Sequence, residues 1–184
     1  WIKQRDQKPG QVFLGLVQRL DRPVGGVMVF AKTSKAASRL ADQVRQQTLQ
    51  KTYLAVVAGV IDPPEGTLTD WLEKDHHNNT VRVVESGLPP AKQAILHYER
   101  IAVHANKSLL RIQLETGRSH QIRVQLAHYG HPLLGDHKYG QALNLSGPAL
   151  WSHQLQLLHP TLRKSLLFTS PPPKTKPWQD FELV

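Results

Sequence analysis

Cysteine is absent from all 184 residues, which excludes disulfide frameworks, thiolate zinc sites, iron–sulfur clusters and cysteine nucleophiles. Long apolar runs are missing too. Nothing approaches the roughly 18 apolar residues of a membrane span, and no charged-then-apolar leader opens the chain. The expectation is a globular protein of a reducing compartment, the cytoplasm, with neither membrane insertion nor Sec-type export. Acidic residues are in deficit, 14 Asp+Glu against 23 Lys+Arg, which leaves a formal net charge of +9. An excess of that size makes a polyanion the first partner to consider, nucleic acid ahead of an acidic membrane surface, because phosphate contacts draw on Lys and Arg. Hydrophobic residues at 40% suffice to bury a core, and one domain is the default at this length.

The chain starts with what reads as the tail of a helix, running into a turn at Pro9-Gly10. An apolar run from Val12 to Val17 leads into Arg19-Leu20-Asp21-Arg22-Pro23, and Val27 to Ala31 reads as another buried strand, so Asp21 sits on a loop between strands. Thr33 or Ser34 can cap a helix whose apolar face is Ala37, Leu40, Ala41 and Val44, with Lys35, Arg39 and Arg45 on a basic outer face. Lys51 to Val60 is β-branched and aromatic, which predicts a strand carrying Tyr53 near its start and makes a strand-helix-strand unit plausible. Residues 61–90 turn to Pro, Gly, Asp, His and Asn and read as hairpins and exposed loops, with short strand-like pieces at 66–72 and 80–85. Ala91 to Val103 and Ser108 to Glu115 form an antiparallel pair around Ala105-Asn106-Lys107. Ser119 to Tyr129 reads as a helix with Ile122, Leu126 and Ala127 on one face and Gly130 as its stop. Pro148 to Leu158 and Ser165 to Thr169 close the chain as paired strands before Pro171-Pro172-Pro173.

Three segments gather polar residues at the ends of these elements: 19–26, 51–55 and 116–123. They hold an acid between arginines (Arg19, Asp21, Arg22), a tyrosine (Tyr53), and two arginines beside a histidine (Arg118, His120, Arg123). A carboxylate beside arginine favours its charged form, which suits a nucleophile better than a general acid. Taken singly, each residue has a plain structural use: an Arg-x-Asp-Arg string as a surface ion pair, Tyr53 as a core residue with a surface hydroxyl, Arg123 as a solvated helix arginine.

Taken together, the strings Gln18-Arg19-Leu20-Asp21-Arg22-Pro23-Val24-Gly25-Gly26, Lys51-Thr52-Tyr53-Leu54-Ala55 and Glu115-Thr116-Gly117-Arg118-Ser119-His120-Gln121-Ile122-Arg123-Val124-Gln125-Leu126 resemble, in order and spacing, the signature segments of the RluA family of RNA pseudouridine synthases. The likeness runs on through Gly130-His131-Pro132-Leu133-Leu134-Gly135-Asp136 to Tyr139-Gly140, and more weakly through His153 and His159-Pro160. The resemblance implies an α/β (α+β) protein with the pseudouridine-synthase fold, a mixed, mostly antiparallel sheet with flanking helices and a central RNA-binding cleft. It further implies an isomerase that detaches uracil from its sugar at N1 and rejoins it through C5, in ribosomal or transfer RNA, with no metal or cofactor. Asp21 would be the catalytic aspartate, either as a nucleophile toward the sugar or as the group that takes a sugar proton to give a glycal. Tyr53 would pack against the target base, and Arg123 would pair with the aspartate. Arg19, Arg22, Arg118 and His120 are candidate substrate contacts, the arginines through phosphate.

The chain departs from the family pattern in three places. Gln18 stands where His is common, Val24-Gly25 stands where Thr-Ser is usual, and nothing before Leu16 matches the family's upstream Asn-Lys-Pro-x-Gly strand. Residues 1–184 are therefore expected to be a single catalytic domain lacking that N-terminal strand, and a monomer by default. Two other readings compete. His120, His128, His131 and His137 lie near Asp136 and could suit a zinc hydrolase. A family member that binds RNA without catalysis would share the charge and the aromatics, although it has no reason to set an acid among arginines, where a carboxylate repels phosphate.

Overall fold

The computed structural model describes residues 2–7, 9–85, 87–140 and 145–181. Helix α1 (Ile2–Arg5) precedes the bend at Pro9-Gly10, Trp1 and Lys8 lying outside the described residues, and β1 (Gly15–Leu16), β2 (Gly25–Gly26) and β3 (Phe30–Ala31) follow. Then come α2 (Ser34–Arg45), β4 (Gln50–Ala58), β5 (Glu65–Asp75), β6 (Thr80–Val84), β7 (Lys92–His104), β8 (Lys107–Leu114), α3 (Gln121–His128), β9 (Leu150–Leu158), β10 (Ser165–Thr169) and a 3-10 turn at Trp178–Asp180. Seven strands run β10-β9-β4-β8-β7-β5-β6, every neighbouring pair antiparallel, and β2 joins β9 in parallel. This is the mixed, mostly antiparallel α+β architecture expected from the sequence.

β4 lies in the middle of this order and is buried on both faces, which is why it reads as a continuous apolar run. Tyr53, Ala55 and Val57 face a core shared with Leu96, Leu110, Ile112, and with Ile122 and Leu126 of α3. The alternate residues Leu54 and Val56 face Leu109, Trp178 and Phe181, so the chain's last described segment covers the opposite side of the sheet. A third cluster packs Leu40 of α2 on Leu155 and Leu157 of β9.

Several expectations need correction. The apolar segments before and after Asp21 make only a two-residue ladder of their own, β1 against β3, with Leu16 and Phe30 exposed as a cross-strand pair. Val17, Val27, Val29 and Ala31 reach the core beside α2, so these segments bury one face only. The strands flanking α2 lie in different sheets, and no parallel crossover forms there. Arg39, expected on the outer face, is half-buried and donates to the carbonyl of Pro160 at 2.7 Å, while Ala41 is exposed. β5 extends through the polar residues 73–75 because they pair with Thr80 to Arg82 of β6, whose ladder hydrogen bonds outweigh their weak strand propensity.

α3 starts two residues later than expected, because His120 adopts the left-handed region (φ 52°) just before it. Its end is as predicted. Gly130 (φ 87°) donates to Ala127 and His131 to Leu126, the paired bonds that close a helix on a left-handed glycine. Residues 121–126 are all buried, so α3 is covered nearly all round, polar residues included. Gln125 donates to Asp70 Oδ2 at 2.7 Å and lies within 3.3 Å of the carbonyls of Leu68 and Ala94, clipping α3 to β5 and β7.

The start of α2 gives a direct test of local structure. Thr33 is extended (φ −144°, ψ 152°) and its hydroxyl accepts from the Ala36 amide at 3.1 Å. Thr33→Ala should cost about 1 kcal/mol, read as a lower urea midpoint at unchanged slope.

Candidate active site

Asp21 lies on the loop between β1 and β2, and β2 fixes that loop to the sheet. Gly25 and Gly26 pair with Trp151 and Ser152 of β9, the Val27 amide donates to the Ser152 carbonyl at 2.8 Å, and the Ser152 hydroxyl donates back to the Val27 carbonyl at 3.0 Å. Gly26 has φ 120°, and a Cβ there would stand 2.1 Å from the Ser152 carbonyl oxygen, so only glycine permits this approach. Within the loop the Val24 amide donates to the Asp21 carbonyl at 2.8 Å, and Val24 is buried in the main core.

Opposite Asp21, α3 presents Arg123, whose side chain is 7% exposed. Its Nε and Nη2 donate to the two oxygens of Asp136, each at 2.8 Å, and its Nη1 donates to Asp21 Oδ2 at 3.0 Å. Asp136 is fully buried, and its Oδ1 also accepts the amides of Lys138 and Tyr139 at 3.0 and 3.2 Å. Burial pushes the Asp136 carboxyl up, yet the Arg123 fork and those amides hold it below the ordinary range. Burial likewise opposes the charge on Arg123, and its hydrogen bonds to Asp136 and Asp21 outweigh that and raise its pKa. The guanidinium also lies 5.2 Å from the centre of the Tyr139 ring.

Tyr139 links this group to His120. Its hydroxyl accepts the Val81 amide at 2.8 Å and stands 2.6 Å from His120 Nδ1. A hydroxyl proton given to Nδ1 would leave the imidazole proton on Nε2. Nε2 faces Asp21 Oδ1 at 4.0 Å. Burial lowers the His120 pKa below 6.5, against the opposing pull of Asp21, and so favours the neutral ring. Tyr53 is buried on β4, and burial first, then the charge of Asp21, pushes its hydroxyl up to about 12, so it stays protonated.

A cavity of about 700 Å³ joins these groups. Among the described residues Asp21 is the one acid on its wall, whereas Arg19, Arg22, Lys51, Lys74, Arg118, Arg123 and Lys138 supply cations. Arg19 and Arg22 are exposed and have no hydrogen-bond or ion-pair partner among the described residues. Arg118 is held by the Gln93 carbonyl through Nε at 2.8 Å, and its amide donates to Gln121 Oε1 at 3.0 Å. All seven residues singled out from the sequence therefore line one cavity.

Sequence reasoning missed Asp136 and Tyr139 as members of this site, along with Lys51, Lys74 and Lys138. Asp136 lies within the family likeness and near the histidines, and the structure commits it to Arg123. The histidines are spread apart: His120 bonds Tyr139, His131 Nδ1 lies 2.9 Å from the Ala58 carbonyl, and His137 Nε2 lies 3.3 Å from that of Leu145. Among the described residues no group of three or more His, Asp or Glu could hold a metal ion.

Comparison with known proteins agrees with this geometry. The sequence model of the family described as RNA pseudouridylate synthase matches residues 1–128. A protein of Chloroflexus aurantiacus named as an uncharacterized RNA pseudouridine synthase is 38% identical over 168 residues, covering 89% of this chain and 52% of that one. The ribosomal large subunit pseudouridine synthase D of Nitrosomonas europaea is 38% identical over 175 residues, covering 86% and 48%. The chain thus spans about half the length of the curated relatives it matches. Among solved structures, the human RNA pseudouridylate synthase domain containing 4 superposes with a TM-score of 0.73 at 25% identity, covering 88% of this chain and 72% of that one. For the human domain containing 1 the TM-score is 0.77 at 21% identity, covering 95% and 73%, a likeness of fold. With the signature segments converging on one cavity and the family likeness extending over most of its length, the chain belongs to the RluA-type RNA pseudouridine synthase family.

Proposed function

We propose that this protein isomerises uridine to pseudouridine in ribosomal or transfer RNA, with Asp21 as the catalytic aspartate. The observation that carries the reading is the Asp21 carboxylate on the wall of a cation-lined cavity, 3.0 Å from the buried Arg123 and facing the same space as Tyr53. The reaction breaks the bond from the sugar C1′ to uracil N1 and forms one from C1′ to C5. The C5 proton is lost and N1 gains a proton, so the product is an isomer and no external oxidant or cofactor is consumed. Asp21 acts on the sugar, by attack at carbon or by taking a proton, and both routes need the carboxylate to face the ribose. Arg123 holds Asp21 in place through one N–H while Asp136 engages the rest of its fork. Tyr53, protonated, offers an uncharged face to the base, and the neutral His120 offers an N–H donor beside the reacting sugar. The target uridine must leave any stack to enter such a cavity, and Arg19, Arg22 and Arg118 meet the backbone phosphates that come with it.

The first test is pseudouridine formation in bulk ribosomal and transfer RNA, mapped as carbodiimide-dependent primer-extension stops. Asp21→Ala should lower turnover by at least about 10³-fold, within the range of a lost acid–base group, with melting and RNA retention nearly unchanged because Arg123 keeps its fork on Asp136. Wild-type-like turnover by that variant would sink the assignment.

Asp136→Asn tests the buried pair. Removing the anion leaves Arg123 under-compensated in the interior and should cost about 3–5 kcal/mol in urea unfolding. The pH dependence follows from the lowered Asp136 pKa. Its contribution is fully present above the unfolded value of about 4 and is lost as pH falls through the lower folded value. Acidification below about pH 4 should therefore erode wild-type stability more than that of the variant.

The tautomer assignment is testable without substrate. ¹⁵N shifts of the His120 ring should report a proton on Nε2 in the wild type and no protonation until below pH 6.5. In Tyr139→Phe the ring should show mixed tautomers, and a wild-type ring dominated by Nδ1–H would overturn the assignment.

A further inference from the structure

A second cavity, of about 920 Å³, opens beside the first. Its floor is the start of β4, and its walls are the end of α2, with Arg45 and Gln47, and the end of β8, with Gln113. Gln47 Nε2 donates to the Glu115 carbonyl at 2.7 Å across these walls, tying the end of α2 to the end of β8. Among the described residues Glu115 is the one acid on its lining, and its carboxylate is engaged with His97 Nε2 at 2.6 Å.

The two cavities meet at a saddle made by Lys51, Gly117 and Arg118, which line both. Gly117 keeps the saddle low: a Cβ there would have only Lys51 Nζ within 4 Å, at 3.7 Å. Lys51 is half-buried and has no hydrogen-bond or ion-pair partner among the described residues. Burial pulls its pKa down, the mark of an ammonium held out of water without a counter-charge. Such a group gains most from an anion that arrives with its ligand. Across the saddle, Arg118 uses Nε on the Gln93 carbonyl, and its terminal nitrogens have no partner among the described residues.

Resting on the RNA reading above, we infer that the second cavity receives the nucleotide next to the target in single-stranded RNA, and that Lys51 and Arg118 hold the phosphate that joins the two. A target uridine seated at Asp21 is tethered on both sides, and the saddle is an exit lined with cation and no opposing carboxylate. The site extends recognition one nucleotide beyond the reacting base and makes local sequence or conformation on that side part of substrate choice.

The test uses the 184-residue chain with two probes, uridine 5′-monophosphate and hexauridylate, followed by amide shift mapping. The mononucleotide should shift amides around the first cavity, and hexauridylate should in addition shift Gln47, Gln50 and Gln113. Arg45→Glu with Gln113→Glu, both lining the second cavity alone, should abolish the added shifts and weaken hexauridylate about tenfold, one charged contact's worth, with mononucleotide binding unchanged. Lys51→Met should make the salt dependence of hexauridylate binding shallower by about 0.7 in log K against log salt, the loss of one single-strand phosphate contact. Hexauridylate that leaves Gln47, Gln50 and Gln113 unshifted, or that binds the double variant at wild-type strength, overturns the second site. The RNA-modification reading is judged separately by the Asp21-dependent assay, so a failed groove and a failed enzyme give different results.

Discussion

The site depends on one guanidinium shared between two carboxylates. A buried arginine is costly unless its charge and its five donors are met, and Asp136, fully buried, accepts the fork in the bidentate geometry that meets most of that demand. Nη1, which Asp136 does not engage, is aimed at Asp21. Asp136 therefore sets the direction of Arg123, and Arg123 sets the position of Asp21. The arrangement explains why α3 is buried on its polar side: the helix exists to carry a cation inward and is clipped to the sheet by Gln125 so that it cannot turn away.

Around that pair the neutral groups are as determined as the charged ones. Tyr139 is held by the Val81 amide on the β5–β6 hairpin, lies near Arg123, and is hydrogen-bonded to His120, so one tyrosine connects the hairpin, the ion pair and the imidazole. Asp21 is consequently approached by one N–H from a permanent cation and faced by a second from an uncharged ring. An imidazolium in place of the neutral ring would crowd a third charge beside Arg123, and burial disfavours it. Tyr53, buried on the central strand, completes the wall without adding charge.

Much of this was legible in the sequence, and the parts that were not share a physical cause. β4 was legible as an unbroken apolar run, the β7–β8 hairpin from its turn at Ala105-Asn106, and the end of α3 from Gly130 followed by Pro132. These are local signals. β5 was read too short because its residues 73–75 are polar and owe their strand state to pairing with β6. The segments around Asp21 were read as buried strands because their apolar content is high, although only alternate residues reach the core. Asp136 carries no local signal of its role, since its partner is 13 residues away across a helix end and the bond depends on how α3 sits on the sheet. Asp21 and Arg123, 102 positions apart, came together in the reading only through the family resemblance.

The chain's departure from the family pattern at Val24-Gly25 is accommodated by its own packing. Where Thr-Ser is usual, Val24 points into the main core and needs no hydrogen-bond partner there. A Cβ on Gly25 would stand 2.3 Å from the ring of Trp151, so any larger residue at this position requires that ring to move, and Gly25 and Trp151 form a matched pair. Gln18, in place of the usual His, donates to the Val27 carbonyl at 3.3 Å, the same oxygen that receives the Ser152 hydroxyl. The Asp21 loop is thus anchored by backbone pairing of β2 with β9, with glycine required at 26 and a small residue at 25 as long as Trp151 keeps its place. A loop held by main-chain bonds keeps its carboxylate on Arg123 while the side chains around it adapt to the packing against β9.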